Sequence, residues 1–122
     1  NRPSGNNLID LFAYLIRKYG RMDTSEYARI MQLKTSELRG AILAIGGMSA
    51  MEWRNRYLLL EAQELMERTD MSITEIAAKL GFSQPSVFSK FFRTLTKSQP
   101  WEWRIEKKKP GSNRKRTYHC YE

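Results

Sequence analysis

The feature that most constrains this chain is that it says the same thing twice. Asp23-x-x-Glu26-Tyr27-Ala28-x-x-Met31-Gln32-Leu33 matches Ser72-x-x-Glu75-Ile76-Ala77-x-x-Leu80-Gly81-Phe82 at an offset of 49 residues. Past the turn the offset becomes 50, pairing Leu38 with Phe88 and Ile42 with Phe92. Each copy reads as a capped short helix, a tight turn, and a longer helix with apolar residues four apart. The small Ala28 or Ala77 lets the second helix cross close over the first. Gln32 or Gly81 has to turn the chain sharply, and the apolar pair on the second helix fixes the crossing. This is the grammar of a helix-turn-helix, whose second helix projects a free face of the right width for a DNA major groove.

The segments around the repeat are helical too, and none alternates at period two. Leu8, Phe12, Leu15 and Tyr19 share one face, with Ile9 and Ile16 beside them, and Gly20 supplies a stop. A third helix is predicted from Thr35 to Ile45, burying Leu38, Ala41, Ile42 and Ile45, and ended by Gly46-Gly47. Capping boxes at Asp23, Ser49 and Ser72 mark three helix starts, each with Glu three residues on. The helix from Ser49 to Arg68 is the longest. Its Leu58-Leu59-Leu60 run cannot lie on the stripe of Trp53, Tyr57, Leu65 and Met66, so it reads as a connector with more than one packed side. Pro85 and Pro100 suit first helical turns. The expected fold is all-α: two helix-turn-helix subdomains joined by a long linker helix, about seven helices in all.

The expected boundaries are a disordered linker over 1–7, a first subdomain over 8–48 and the linker helix over 49–68. A second subdomain covers 69–107, and a basic flexible tail 108–122. The chain opens on Asn1 and is read as part of something longer. It carries 21 basic and 13 acidic residues, a net charge of +8 that suggests a polyanionic partner. Residues 1–103 hold only 14 basic against 11 acidic side chains, so much of the excess lies in the tail.

Catalysis finds nothing to stand on. His119 and Cys120 are each the sole residue of their type: one Cys can make neither a zinc site nor a disulfide within the chain, and one His with no carboxylate or thiol constellation supports no catalysis. No Gly-rich phosphate loop appears, and no cofactor is expected. Trp53, Tyr57, Trp101, Trp103 and the six Met residues read as core, and Glu61, Glu64 and Glu67 as a solvated face. Glu37 reads as a solvated charge near a helix start. No run approaches the ~18 apolar residues of a membrane span, and residues 107–117 lack apolar anchors for a membrane surface. A bundle that binds another protein is the alternative from a different class. Its outward faces should be apolar, whereas these carry Ser36, Arg39, Ser89, Lys90 and Arg93.

Residues 71–104 closely resemble the signature of AraC/XylS-type transcription regulators. The matching elements are Ile76-Ala77, Gly81-Phe82-Ser83, Phe88-x-x-x-Phe92-Arg93 and Pro100-x-x-Trp103-Arg104. Gly47-Met48-Ser49 and Ala62-x-x-Leu65-Met66 extend the likeness to roughly residues 8–107. The resemblance implies a bacterial cytoplasmic regulator that binds double-stranded DNA with two recognition helices in successive major-groove segments. It further implies RNA polymerase as a partner and an effector or dimerisation domain outside this chain. Carried over by position, the base-facing residues are Ser36, Arg39 and Gly40 on the first recognition helix. On the second they are Pro85, Ser86, Ser89 and Lys90. The expected phosphate contacts are Lys34, Arg93, Lys97, Arg104, Lys107, Lys108, Lys109, Arg114, Lys115 and Arg116. Gly40 stands where the family commonly has a basic residue, Leu58 where Arg is frequent, and Lys97 where Gly is frequent.

Overall fold

The structure, a computed structural model, describes residues 5–108. Seven helices and no strand occur among them: α1 Gly5–Tyr19, α2 Thr24–Ile30, α3 Thr35–Gly46, α4 Ala50–Arg68, α5 Ile73–Lys79, α6 Pro85–Thr96 and α7 Pro100–Lys108. The chain divides between Leu58 and Leu59, inside α4, into two compact units. The first helix begins at Gly5, so the last three residues of the segment expected to be a disordered linker are helical.

Five of the helices start the same way. A Glu at the third helical position turns back and accepts the N–H of the residue before the helix. The bonds are Asp23 N to Glu26 Oε1 at 3.3 Å, Lys34 N to Glu37 at 2.7 Å and Ser49 N to Glu52 at 3.1 Å. Ser72 N to Glu75 at 2.8 Å and Gln99 N to Glu102 at 3.2 Å complete the set. The hydroxyls of Ser49 and Ser72 return the bond by accepting from Glu52 N and Glu75 N, which gives both halves of the box. Lys34 has no acceptor to offer, so Glu37 does the capping of α3 from one side only.

In the first unit, α1 and α2 both pack on α3. The core is built from Phe12, Leu15, Ile16, Tyr27, Ala28, Leu38 and Ile42, all buried. Phe12 meets Tyr27 edge-to-face, ring centroids 5.3 Å apart. Tyr27 earns its burial with a polar tip: its hydroxyl donates to Gly20 O and accepts from Met22 N at 3.1 Å. Burial is the main cause that raises the pKa of this phenol, partly offset by the Met22 N–H and the nearby Arg54. In the second unit, α5 and α7 pack on α6. Phe88 and Phe92 take the places of Leu38 and Ile42, and Trp103 closes edge-to-face on Phe92 at 5.9 Å.

Several expected core residues are not core. Ile45 is 43% exposed and Tyr19 47%. Met66 is the one fully buried methionine, whereas Met51 is 58% exposed. Trp101 is 58% exposed; it is the second residue of α7 and lies off the face that carries Trp103 inward. Leu58 and Leu59, about 100° apart on α4, are both fully buried, as expected of a helix packed on more than one side.

Both helix-turn-helix turns need a left-handed residue. Gly81 supplies it in the second copy at φ 86°, and Gln32 is forced into it at φ 61° in the first. The same contrast recurs where the recognition helices end: Gly47 sits at φ 76° and Lys97 at φ 66°. A side chain in this region costs about 1 kcal/mol or more relative to Gly, offset in part by the freedom Gly has when unfolded. Gln32→Gly is therefore expected to stabilise the protein by about 0.5–1 kcal/mol, read as a higher urea midpoint at unchanged slope. An unchanged or lower midpoint would mean that Gln32 makes compensating contacts.

Candidate nucleic-acid interface

The two second helices, α3 and α6, have their buried faces fixed by Leu38 and Ile42 and by Phe88 and Phe92. Helical geometry then points residues 36, 40 and 43, and their counterparts 86, 90 and 93, away from the core. Ser36, Arg39 and Gly40 are exposed on α3, and so are Pro85, Ser86 and Lys90 on α6; Ser89 is half-buried. Ser36, Arg39 and Gly40 thus share one outward surface of α3, and Ser86, Ser89, Lys90 and Arg93 one surface of α6. Pro85 opens α6 at its first position, and Ser86 Oγ lies 3.4 Å from Gln84 Oε1.

The electrostatics of the two helices differ. The first turn of α3 holds Glu37, which is spent on the Lys34 N–H. The first turn of α6 holds no acidic residue, and Arg93 sits in its last turn. An incoming phosphate meets a carboxylate at one helix start and none at the other.

Among the expected phosphate contacts, Lys34, Arg93, Lys97 and Lys108 are exposed and Lys107 is half-buried. Lys97 Nζ donates to Thr94 O at 3.2 Å, and Lys108 Nζ stands 4.0 Å from Asp70 Oδ1. Lys109, Arg114, Lys115 and Arg116 lie outside the described residues, as do His119 and Cys120. Arg104 turns inward. Its Nε donates to Met66 O at 3.0 Å, its Nη2 to Thr69 O at 2.7 Å and its Nη1 to Met71 O. The guanidinium ties the end of α4 to the entry of α5.

The first unit has the same device. Arg54, 8% exposed, donates from Nη1 to Met22 O at 2.9 Å. Burial is the main cause that lowers its pKa, with the nearby Arg21 adding to it and Tyr27 and Asp23 opposing. Arg54 and Arg104 stand at the repeat's offset of 50, and their acceptors Met22 and Met71 at its offset of 49. Sequence reasoning had a signal for this and missed it. Glu52-Trp53-Arg54 recurs as Glu102-Trp103-Arg104, so the repeat runs through the third helix of each copy.

Among the described residues, no group of three His, Cys, Asp or Glu could hold a metal ion, and no helix is long and apolar enough to cross a membrane.

Comparison with known proteins agrees with this layout. The chain is 41% identical over 58 residues to the regulatory protein PocR of Salmonella typhimurium, a match over 48% of this chain and 19% of that protein. The chain thus spans only about a fifth of the length of that curated relative. The C-terminal domain of AraT, a response regulator from Geobacillus stearothermophilus, superposes with a TM-score of 0.75 at 20% identity, covering 100% of both chains. The DNA-binding domain of AdpA, solved in complex with a target DNA, gives 0.71 at 23% identity over 80% of this chain and 89% of that one. These likenesses establish the shared fold. The sequence pattern of the helix-turn-helix domain, in its AraC-type form, matches residues 27–105, well over half of the chain, and the chain belongs to that family of DNA-binding modules of transcription regulators.

Proposed function

We propose that this chain is the sequence-reading module of a bacterial transcription regulator, binding duplex DNA with α3 and α6 in successive major-groove segments. The observation that carries the reading is the duplicated recognition helix. In each copy an apolar pair is locked into a core while the opposite face stays exposed, with polar side chains at Ser36 and Arg39 on α3 and at Ser86, Lys90 and Arg93 on α6. Base contacts fall to Ser36, Arg39 and Gly40 and to Pro85, Ser86, Ser89 and Lys90. Arg39 and Lys90 are the strongest candidates for guanine O6 and N7. Residues 8–48 and 69–107 act as the two reading subdomains, and residues 49–68 as the linker helix. The cytoplasm is the compartment. RNA polymerase is the protein partner, and effector sensing or dimerisation belongs to a domain outside this chain. No catalytic role is proposed.

Footprinting of the monomeric chain on a selected site tests the reading. Protection is expected over about two turns of duplex, with half-sites ~10 bp apart. Protection of a single groove segment would remove one recognition helix from the account. Lys90→Ala and Arg39→Ala should each cost about 1–3 kcal/mol on the preferred site and little on random duplex. The larger loss is expected at Lys90, on the helix with no acidic first turn. Equal losses on both DNAs would reassign the two side chains to phosphates.

Lys34, Arg93, Lys97, Lys107, Lys108, Lys109, Arg114, Lys115 and Arg116 form the proposed phosphate-contacting set. Arg104 is left out because its guanidinium is engaged within the protein. Removing residues 109–122 should weaken binding to every sequence alike and make the salt dependence shallower by about 1–3 units of slope. Superimposable slopes would leave that segment without a role on DNA.

A further inference from the structure

Gly40 is a glycine that the fold does not ask for. It lies in the middle of the 12-residue α3, is exposed, and a Cβ built on it would meet nothing within 4 Å. Its φ is not in the left-handed region, so a side chain would be tolerated, and a better helix former would be preferred at an interior position. A turn further on, Leu43 is 58% exposed on the same outward surface. The counterparts of Ser36, Gly40 and Leu43 on α6 are Ser86, Lys90 and Arg93. The first pair is the same residue, but the other two equivalent positions carry opposite chemistry. The α6 face offers long cationic donors. The α3 face offers backbone bare of a side chain and then a branched apolar group, with Arg39 as its flanking donor.

Resting on the DNA-reading function proposed above, we infer that α3 determines specificity through close apolar contact with thymine 5-methyl groups across Gly40 and Leu43. On α6 it is Lys90 that reads a guanine edge, with Arg93 on the phosphates. The 5-methyl of thymine is the apolar group on the major-groove edge that distinguishes the four base pairs, and small or apolar side chains are its matching partners. Gly40 allows the helix to seat closer to the bases than any side chain at that position would, and the cost in helix stability is borne for that approach. The two half-sites are accordingly unlike: the α3 half-site holds thymines whose methyls matter beside the guanine that Arg39 contacts, and the α6 half-site is read by donors alone.

The experiment selects bound duplexes from a random library with the parent chain, then replaces each thymine of the preferred site by deoxyuridine in turn. That change removes the methyl and leaves every hydrogen-bonding group. Loss of one contacted methyl is expected to weaken binding about 3- to 5-fold. It should do so at one or more positions lying in the half-site that Lys90→Ala leaves undisturbed. Leu43→Ala should abolish the sensitivity to deoxyuridine at one of them. Gly40→Ala should raise the thermal midpoint yet weaken binding to that site at least about 5-fold. If no duplex is enriched, the DNA-reading function falls and this inference with it. If a site is enriched but deoxyuridine is tolerated at every thymine, or Gly40→Ala binds as tightly as the parent, the inference alone is overturned.

Discussion

Replacing Arg104 by leucine should destabilise the second unit by about 2–4 kcal/mol, without the uniform loss of DNA affinity that removal of a phosphate contact would give. The guanidinium donates three charge-assisted hydrogen bonds to the backbone carbonyls of Met66, Thr69 and Met71. Such bonds contribute about 1.5–3 kcal/mol each net of the bonds to water they replace, and an orphaned carbonyl adds its own desolvation cost. Arg104 is only half-buried, so water can replace part of what is lost and the sum is held well below three full bonds. A cation at the end of α4 also complements the carbonyl end of that helix. Arg104→Lys keeps the charge but not the fork, which alone reaches three carbonyls on diverging lines, and should recover less than half of the loss. The checks are urea midpoints for the three proteins and salt-dependent DNA titrations under conditions where each is folded. An unchanged midpoint combined with a salt slope shallower by about 1 would return Arg104 to the phosphates.

Arg104 also marks where the sequence stops being legible. The helices, their caps and the two crossings follow from local chemistry, because a Glu three residues after a cap or a pair of apolar residues four apart means the same thing in any fold. The sharp turn at Gln32 was legible for a further reason: its partner in the repeat is Gly81, and the geometry demanded by one copy applies to the other. The destination of a long cationic side chain is a different kind of fact. A guanidinium reaches far enough to meet either solvent or a carbonyl 33 to 38 residues earlier in the chain, and composition does not separate the two. The recurrence of Glu-Trp-Arg at 52–54 and 102–104 would have separated them, since a residue that repeats with the core is tied to the core. Apolar pattern misled at Met51 and Trp101 for the converse reason. They occupy equivalent second positions of α4 and α7, and both are exposed, so their shared apolar character does not come from burial within either unit. Gln63 shows the same limit from the polar side: it is wholly buried on α4, which its residue type gives no reason to expect.

The second large effect is expected at the end of α3. Gly46→Ala should destabilise the first unit by about 1–3 kcal/mol, the range for an atom forced into a packed contact. A Cβ on Gly46 would stand 2.1 Å from Trp53 Nε1 and 2.7 Å from its Cε2, distances at which the ring or the helix has to move. The indole has little freedom to do so. It is a rigid plane that stacks on Tyr57, with ring centroids 5.4 Å apart at an interplanar angle of 23°. Helix propensity acts in the opposite direction, since Ala is better than Gly by up to about 1 kcal/mol inside a helix, and less at its final residue. The clash outweighs it. Trp53→Leu removes the obstructing ring and has its own cost from lost packing. In that background Gly46→Ala should become neutral or mildly stabilising, so the double-mutant cycle should return a coupling of about 1–3 kcal/mol. Additive costs would place the strain in the backbone of Gly46 instead of the indole. Gly40→Ala, the same chemical change on the same helix where nothing lies within 4 Å, is the internal control. It should move stability upward, and the opposite signs of the two substitutions separate a glycine kept for packing within the protein from one kept for what approaches from outside.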